Sequence, residues 1–520
     1  MDGIKTQLQD MLFPESLPAL AGVDLRLWLR LGTIALAALA VWVGYFIWQR
    51  RNHPLARFPG PFLATISNFP YSASYLGGRQ PYDMLKLHEK YGPVVRISPT
   101  ELSFNSAQSF RDIYGHRKGH ETFIKSAFYD GGSFADKGVH SIVSERDPER
   151  HAEMRRYLSS AFSDRSLREQ EHLVAHHVDA FVEQVGRLRE VDMTTWFNLM
   201  TFDIIGDLAF GVSFGGIQSG KLHPWITVVS ESVGQASLAD TIGRFPTLGK
   251  LYMRLNPGWL HKLSRGSAKH EKLTLELIER RLKTTTDRKD FLSYLENATD
   301  DDGKTLSQVQ LAAHASDFVI AGSETTATAL TVITYYLGRH PEMLKRLREE
   351  VRTAFKSYDE IDGTTTGNLR YLHAICHEAL RILPPLALGL PRVVPRAGDT
   401  VDGHWIPGGT IVSTHPMAAS LGSGNFADPW RFNPERWLSS DKADNNHLEA
   451  SQPFLTGSRV CLGRALGWLE MRTALAKLHF RYDIEMVLET GVDLHRDAEM
   501  HLLWKKPPVV VKVVAARSLT

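Results

Sequence analysis

Cysteine is scarce in this chain: its 520 residues include two, Cys376 and Cys461. Two cysteines exclude a disulfide framework and a zinc site built from cysteines alone, and they favour a reducing compartment. Strong net charge is lacking as well, since the formal charge is +2, and the composition gives no sign of nucleic-acid binding. With 43% hydrophobic and 23% charged residues, the composition is that of a globular protein.

The sequence also lacks a glycine-rich dinucleotide fingerprint on a strand–helix unit, and no stretch remains for a flavin or nicotinamide domain. Internal repeats are absent. The body is predicted to be mainly α with small β portions, because helical periodicity dominates between a few short strands. The predicted strands are Val94–Ser98 and Glu101–Phe104, a hairpin is expected within Thr400–Val412, and a long helix is expected from about Leu306 to Leu337.

One long apolar run stands near the N-terminus, from Leu31 to Trp48, with no charged residue. As a helix it spans about 27 Å, close to the ~30 Å hydrocarbon core of a bilayer. Its length, its late start and the lack of a small-residue cleavage site favour a retained anchor over a cleaved signal peptide. Arg26 and Arg30 on one side balance Arg50 and Arg51 on the other, so charge alone does not fix the orientation.

The segment after this run, residues 53–62, contains three prolines and cannot continue a helix. We therefore predict three parts: an N-terminal segment with the anchor at 1–52, a proline-rich linker at 53–62, and one large domain at 63–520. No strong linker divides the residues beyond 60.

The second cysteine lies in a short loop near the C-terminus, P-F-L-T-G-S-R-V-C-L-G-R-A-L. An amphipathic helix is expected directly after Cys461, and free N–H groups at its start favour a thiolate. Gly457 and Gly463 allow a flat ligand to approach the backbone, and Arg459 suits a carboxylate. Haem fits these features, since it carries two propionates and accepts a cysteine thiolate as axial ligand. The alternative is a buried free cysteine in a glycine loop.

The stretch Phe454–Gly463 resembles the haem-binding signature of the cytochrome P450 family, Phe-x-x-Gly-x-Arg-x-Cys-x-Gly, and every fixed position matches. The resemblance implies the cytochrome P450 fold and haem b with Cys461 as axial ligand. It also implies that Phe454, Arg459 and Gly463 take part in cofactor binding.

A second resemblance is the family's Glu-x-x-Arg, found here at Glu378 and Arg381. The spacing alone is weak, because Glu153–Arg156 and Glu349–Arg352 share it. What distinguishes Glu378 is its position ahead of R-F-N-P-E-R-W and the cysteine loop. The resemblance implies a structural network of Glu378, Arg381 and Arg436 rather than a chemical role.

A third resemblance lies inside the long helix, where Ala321–Thr326 reads A-G-S-E-T-T. A glycine at 322 costs a helix about 1 kcal/mol relative to alanine but lets another group approach the backbone. The hydroxyl of Thr325 can bond to a carbonyl one turn earlier. The resemblance assigns Thr325 to orienting water or peroxide and Glu324 to proton delivery. The alternative is a buried helix with satisfied hydroxyls.

The substrate pocket is expected on the same helix stripe, at Ala321, Phe318, Asp317 and His314. Asp317 or His314 would pin a polar group of the substrate, or else serve a water network or a neighbouring loop. The segments 123–134 and 386–390 occupy pocket-lining family positions and are mostly apolar or aromatic, which fits a lipophilic substrate.

Two helix positions and one strand position resemble propionate contacts of the family. His151 and Arg155 share a helix face and stand where the family often has Trp-x-x-x-Arg. Arg392 matches another position that reaches a propionate. For Arg155 and Arg156 the alternative is a solvated helix face.

The resemblance implies a haem-thiolate monooxygenase that inserts one oxygen atom from O2 into a lipophilic small molecule, by hydroxylation or epoxidation and in one or several steps. Electrons would come from NADPH through a separate reductase, and the protein would be a single-pass protein of the endoplasmic reticulum membrane with a cytosolic body. Other haem-thiolate proteins isomerise or dehydrate a substrate without a reductase, and a non-enzymatic haem-binding protein is a third alternative.

Two stretches are similar to filamentous-fungal members of secondary metabolism, Trp196–Gly211 and His53–Pro61. This similarity implies a terpenoid, polyketide or peptide-derived substrate. The intact Thr325 region favours oxygen chemistry over isomerisation.

Overall fold

The computed structural model of the protein describes residues 25–130, 134, 137–225, 227, 235–284, 287–296, 298–299, 303–438, 446–488 and 491–516. The chain divides into two compact units, Met1–Arg57 and Phe58–Thr520. Of the predicted N-terminal segment, residues 1–24 lie outside the described residues, as do residues 131–133 of the predicted pocket segment.

In the first unit, helix α1 spans Leu25–Asn52 and contains the apolar run. Its window Trp28–Tyr45 has a mean hydropathy of 1.5 and is 0% buried. By length and composition this helix is able to cross a membrane.

Helices dominate the second unit, as the sequence predicts. Those in its first half are α2 (Phe69–Leu76), α3 (Gln80–Tyr91), α4 (Ala107–Tyr114), α5 (Pro148–Ser159), α6 (Asp164–Gly186), α7 (Met193–Phe210), α8 (Gly216–Ser219), α9 (Ala236–Arg244) and α10 (Pro246–Leu255). Those in its second half are α11 (Pro257–Leu282), α12 (Phe291–Leu295), α13 (Gln308–Arg339), α14 (Pro341–Ala354), α15 (Arg370–Ile382), α16 (Pro416–Leu421), α17 (Arg464–Arg481) and α18 (Leu494–Asp497).

The strands are short and form small sheets at the edges of the helical mass. They are β1 (Val94–Ser98), β2 (Glu101–Phe104), β3 (Ile124–Lys125), β4 (Glu190–Asp192), β5 (Arg392–Val393), β6 (Asp399–Val401), β7 (His404–Ile406), β8 (Ile411–Thr414), β9 (Tyr482–Met486), β10 (Glu499–Met500), β11 (Trp504–Lys505) and β12 (Val510–Ala515). One sheet has the order β1-β2-β8-β5-β3, another has the order β4-β12-β9, and the pairs β6-β7 and β10-β11 are hairpins.

The predicted strands β1 and β2 are confirmed with the same bounds and pair antiparallel. The hairpin expected within Thr400–Val412 is shorter. It closes between β6 and β7, while β8 leaves it and pairs parallel with β2. Pro407, Gly408 and Gly409 separate the two, and because proline offers no N–H to a ladder, the chain changes sheets there.

The beginning of the second unit packs on β1. The N–H of Arg96 donates to the carbonyl of Pro59 at 2.7 Å. A Cβ on Gly60 would lie 2.3 Å from the carbonyl oxygen of Arg96, so glycine is required for this close approach. Pro59 and Gly60, which the sequence places in the linker, therefore lie against the body.

Helix α13 runs through the core and carries the A-G-S-E-T-T stretch. Its start is fixed by Ser307, whose hydroxyl accepts from the N–H of Gln310, so the helix begins two residues after the expected position. Helix α7 packs against it, and a Cβ on Gly322 would lie 2.9 Å from Cδ1 of Ile205. Helix α7 therefore makes a close approach at Gly322.

Candidate active site

The cysteine loop is held in a bend against α4. Gly457 has a φ of 76°, and a Cβ at this position would overlap the carbonyl oxygen of Tyr114. The N–H of Cys461 donates to the carbonyl of Phe454 at 2.8 Å, which closes the loop. Helix α17 begins three residues later, at Arg464. The sulfur therefore precedes a helix N-terminus, as the sequence predicts.

The Cys461 side chain is accessible, whereas Cys376 is buried. The protein around the sulfur removes it from bulk water, which raises the pKa of the Cys461 thiol. The N–H of Gly463 and the cations of Arg155 and Arg464 act in the opposite direction. The N–H donor and the cations favour the thiolate form, and an accessible thiolate can bind a metal ion.

Basic side chains gather next to this loop: Lys125, Arg155, Arg392 and Arg459. Backbone carbonyls orient them. Arg155 donates to the carbonyl of Val460 at 2.7 Å, Arg459 to that of Glu145 at 2.8 Å, and Lys125 to those of Ile142 at 3.0 Å and Val143 at 2.6 Å. Arg392 donates to the hydroxyl of Tyr129 at 3.1 Å.

The pKa of His151 is sensitive to burial and to the basic side chains around it. His151 is 4% exposed, and burial together with Arg459, Lys125, Arg155 and Arg392 lowers its pKa to about 2. Burial, Arg459 and Arg392 lower the pKa of Lys125 to about 6, and burial and Arg392 lower that of Arg459 to about 10. At physiological pH His151 is therefore neutral, Lys125 is mostly neutral, and the positive charge of the cluster is that of its arginines.

This donor set fits haem. An excess of partly buried positive charge calls for an anionic ligand, and the two propionates of haem supply it. His151, Arg155, Arg392 and Arg459, the residues predicted for the propionates, are brought together around one another, and Lys125 joins them. Lys125 was missed because a lone lysine in a short strand has no pattern of its own.

The predicted Glu378–Arg381–Arg436 network is present as a geometric unit. Arg381 donates to both carboxylate oxygens of Glu378 at 2.8 Å, and Nε of Arg436 lies 3.4 Å from Oε1. The N–H of Asn433 and Nε1 of Trp437 also donate to Glu378, at 2.8 and 2.9 Å. The side chains of Glu378 and Arg381 are 0% exposed. Through these donors the buried carboxylate of Glu378 joins α15 to the segment before the cysteine loop.

The pair Glu349–Arg352, which has the same spacing, does not form such a unit. Glu349 lies on the surface near Lys345 at 3.8 Å, and Arg352 instead binds Asp483 at 2.8 Å. Its position in the chain therefore distinguishes Glu378–Arg381 from this exposed pair.

On α13, Thr325 donates its hydroxyl to the carbonyl of Ala321 at 2.6 Å, one turn earlier. Both residues are accessible, in contrast to the buried Ser323 and Thr326 on either side. The accessible stripe of this helix therefore carries a hydroxyl at the place where the family resemblance puts its oxygen-handling threonine.

Glu324 has a partner that the sequence does not reveal. Its Oε2 lies 2.5 Å from Nζ of Lys506, which also donates to the hydroxyl of Thr328 at 3.1 Å. Lys506 is separated from Glu324 by 182 positions and follows β11, so no local pattern links the two. A lysine directly before Pro507-Pro508 is the one local signal that the sequence offers.

The residues expected to line the pocket separate into two groups. His314 is 0% exposed and both its ring nitrogens are engaged: by the hydroxyl of Tyr157 at 2.8 Å and the N–H of Ile142 at 3.2 Å. Asp317 accepts from the N–H of Val143 at 3.1 Å. These contacts correct the expectation of substrate contacts at His314 and favour the alternative, in which both residues hold a neighbouring loop.

Phe318 also turns into the core. It is 8% exposed and packs edge-on against Phe162 and Phe291, with ring centroids 5.2 and 5.5 Å away. Ala321, which is exposed, remains on the accessible stripe with Thr325. Of the four predicted pocket residues, Ala321 is thus the one whose placement suits a substrate contact best.

Comparison with known proteins agrees with this geometry. The family model for Cytochrome P450 matches residues 59–513. The chain is 51% identical, over 88% of its length and 94% of the relative, to "Cytochrome P450 monooxygenase ORF11" of Penicillium roqueforti (strain FM164). It is 42% identical to "Cytochrome P450 monooxygenase BipB" of Cochliobolus sativus, over 97% and 99% of the two chains. It is 39% identical to "Cytochrome P450 monooxygenase BOA3" of Botryotinia fuckeliana (strain B05.10), over 96% and 99%.

These matches span nearly the whole chain and include the cysteine loop, the buried glutamate network and the accessible threonine. The fold, the donor set and the relatives agree: the chain belongs to the cytochrome P450 family, and it is an oxidoreductase that incorporates oxygen.

Proposed function

We propose that this enzyme inserts one oxygen atom of O2 into a lipophilic small molecule of fungal secondary metabolism, by hydroxylation or epoxidation. The observation that carries the proposal is the accessible sulfur of Cys461 beside a cluster of partly buried basic side chains. Thiolate-ligated haem, when bound, supplies the activation of O2 by electron release from sulfur.

The chain's own residues bind and orient that haem. Cys461 would provide the axial thiolate, and His151, Arg155, Arg392 and Arg459 would hold the propionates. Phe454 closes the loop through its carbonyl, and Gly463 offers its N–H to the sulfur. Because Arg155 contacts the loop carbonyl of Val460 as well, one side chain couples the loop to the propionate side.

Two residues of α13, Thr325 and Glu324, would orient water and deliver protons. The hydroxyl of Thr325 is accessible and already bonded to its own helix, so it can orient a water on the accessible stripe without moving the backbone. Glu324, next to it, has a side chain that is 17% exposed and would pass protons toward that water. The apolar residues around the stripe would exclude bulk water, and this exclusion strengthens the hydrogen bonds formed there.

Electrons would enter from a separate NADPH-dependent reductase. A surface pocket of about 250 Å³ is lined by Arg370, His373, His377 and Trp437, among others. His373 stacks on Trp468 with ring centroids 4.3 Å apart, and Trp468 lies 6.1 Å from the ring of Phe454 in the cysteine loop. An aromatic face that carries Arg370 and lies next to the cysteine loop suits an acidic electron donor.

Membrane attachment would come from α1 and from an apolar surface of the second unit. In α10, Leu248, Leu251 and Leu255 are 63, 53 and 69% exposed, and in α2 Phe69 is 63% exposed. Nδ2 of Asn68 donates to the carbonyl of Arg244 at 3.3 Å, which places α2 beside α9 and α10. An exposed apolar surface of this kind suits lipid contact, and we propose a single-pass protein of the endoplasmic reticulum with a cytosolic body.

The substrate class follows from the pocket and the relatives. The accessible stripe of α13 carries Ala321 and Thr325, and the polar candidates beside it are used by the protein itself. The relatives are fungal proteins named as monooxygenases. A terpenoid, polyketide or peptide-derived skeleton fits both observations.

A reconstitution tests the proposal. The full-length holoprotein, its reductase and NADPH are incubated under isotopically labelled oxygen gas with metabolite extracts of a strain from which the gene is deleted. We expect one labelled oxygen atom in a new product, and formation of this product should require the reductase. A product that forms without reductase or label would instead indicate an isomerase or dehydratase, and haem binding without turnover of any extract component would indicate a non-enzymatic haem protein.

A further inference from the structure

Lys506 is a buried cation with a specific anion. Its side chain is 2% exposed, and its ammonium lies 2.5 Å from Oε2 of Glu324 and 3.1 Å from the hydroxyl of Thr328. A buried ammonium is costly unless it is paired and hydrogen-bonded, and here both conditions are met. Thr328 in turn donates to the carbonyl of Glu324 at 2.7 Å, so three groups form a closed set on α13.

The backbone on both sides of Lys506 is fastened to the body. Two residues earlier, Nε1 of Trp504 donates to the carbonyl of Pro384 at 2.8 Å. One residue later, the carbonyl of Pro507 accepts from the hydroxyl of Thr194 at 2.9 Å. The proline ring at 507 also fixes the local backbone. The lysine therefore reaches Glu324 from a backbone that is held on both sides.

Its neighbour Lys505 is the natural contrast. The Lys505 side chain is 76% exposed and lies 3.2 Å from Glu499, a pair of the kind that contributes little on a surface. Both lysines are cations at the end of β11, and they differ in burial and in partner. The pair thus offers a matched control within one segment.

We propose that Lys506 is a positioning residue for the oxygenation reaction: its side chain binds the carboxylate of Glu324 and fixes the orientation of that group on α13, one residue before Thr325. This inference rests on the proposed role of Glu324 in proton delivery. In that role Glu324 takes up a proton from water and releases it again toward Thr325, and Lys506 takes no part in the transfer. Among the described contacts, Lys506 is the charged group that faces Glu324, and Thr328 is its polar companion.

The physical reason is that Glu324 has a long, flexible side chain. A charge-assisted hydrogen bond from Lys506, which also binds the hydroxyl of Thr328, holds the carboxylate in one orientation. Without Lys506, the carboxylate loses this partner and the orientation that it imposes.

The experiment compares Lys506→Met with Lys505→Met in the full-length holoprotein. We expect the infrared difference spectrum of Lys506→Met against the wild type to gain a shifted carboxylate stretching band, because the carboxylate of Glu324 has lost its charged hydrogen-bond donor. That band should be absent from Lys505→Met and should disappear in the double variant Lys506→Met/Glu324→Gln. Product formed per NADPH should fall about tenfold in Lys506→Met, stay at the wild-type level in Lys505→Met, and recover in Lys506→Arg.

A Lys506→Met holoprotein with neither a shifted carboxylate band nor a change in coupling relative to Lys505→Met would overturn the inference. If Lys506→Met does not retain haem, Lys506→Gln provides the same comparison with a polar side chain of similar length. The infrared band is read without turnover. A band that appears while Glu324→Gln leaves the coupling unchanged would therefore refute the proton-delivery role of Glu324 and leave the electrostatic pairing intact.

Discussion

Single residues set the chemistry of the cysteine loop through opposing electrostatic effects. Enclosure by the protein raises the pKa of the Cys461 thiol, while the N–H of Gly463 and two arginines lower it. Burial is the larger effect, so the protein alone does not make a stable thiolate. A bound metal decides the balance, because coordination deprotonates a thiol outright.

Thr325 offers a test at the same scale. Replacing Thr325 with Ala removes a hydroxyl from the accessible stripe but keeps the helix. We expect haem binding to be unchanged and product formed per NADPH to fall by about tenfold or more, with hydrogen peroxide formed instead. Peroxide and product are measured against NADPH consumed.

The matched control is Thr331→Ala. Thr331 is buried on the same helix and donates its hydroxyl to the carbonyl of Ala327 at 2.8 Å, so this variant removes a similar hydrogen bond away from the stripe. Equal coupling in the two variants would contradict the role of Thr325.

Glu378 provides a stability test. Glu378→Ala leaves Arg381 and Arg436 as buried, uncompensated cations, and breaking such a network costs about 3–5 kcal/mol. We expect a lower yield of holoprotein and a lower urea midpoint. Glu349→Ala is the control with the same Glu-x-x-Arg spacing, and because Glu349 is 63% exposed the change there should stay within about 1 kcal/mol. Similar midpoints for both variants would refute the assigned network.

At the scale of elements, side-chain hydrogen bonds between distant segments hold the fold together, and one set of them links α13 to residues 141–143. His314 and Asp317 accept from the N–H groups of Ile142 and Val143, while Lys125 donates to the carbonyls of the same two residues. The short loop is thereby held from both sides by side chains of distant elements. This explains why two residues on a promising helix stripe are not free for a substrate.

Because Asp317 is one of the residues that hold this loop, the free energy of unfolding should depend on pH. Burial raises the pKa of Asp317 to about 6, against the opposing effects of Ser141, Val143 and Lys125. A carboxyl group whose folded pKa lies above its unfolded value of about 3.9 binds its proton more tightly in the folded state. The associated stability is fully present below about pH 4 and is lost as the pH rises through about 6.

The variant Asp317→Asn removes this titration and keeps an acceptor oxygen for Val143. The thermal midpoint of the wild-type holoprotein should therefore decline relative to that of Asp317→Asn between about pH 4 and pH 6. Asp359→Asn, at an exposed carboxyl group, should follow the wild type. Parallel curves for the wild type and Asp317→Asn would show that Asp317 does not titrate in this range.

How much the sequence predicts depends on how local the signal is. Strands β1 and β2 were predicted to the residue, because alternating apolar residues and a Pro-Thr turn mark them. Helix α13 was predicted within two residues, and the cysteine loop matched a fixed spacing. These features depend on near neighbours in the chain.

What the sequence did not predict depends on contacts between distant segments. Lys506 meets Glu324 across 182 positions, and His314 meets Tyr157 across 157. A helical periodicity shows which residues share a face, but it does not show which neighbour covers that face. Phe318 and His314 therefore fitted the pocket stripe in sequence while packing elsewhere in the fold.

At the scale of the whole molecule, α1 is expected to hold the protein in the membrane. Placing Arg at Leu36 and Val41 puts two charges near the middle of its apolar window, at a cost of about 2.5–3.5 kcal/mol each. We expect more of the double variant to be released from membranes by alkaline carbonate. A single Asn52→Arg at the helix end, where the charge reaches interfacial water, should behave as the wild type does. Equal extraction of all three proteins would contradict the anchor.

The central claim is that the sulfur of Cys461 binds haem iron. The most direct measurement is the absorption spectrum of the reduced, carbon-monoxide-bound full-length protein, compared with that of Cys461→Ser and of the buried-cysteine control Cys376→Ser. The account predicts the red-shifted Soret band of thiolate-ligated haem in the wild type and in Cys376→Ser, and its loss in Cys461→Ser. An unchanged band in Cys461→Ser, or a wild-type spectrum typical of histidine ligation, would contradict it.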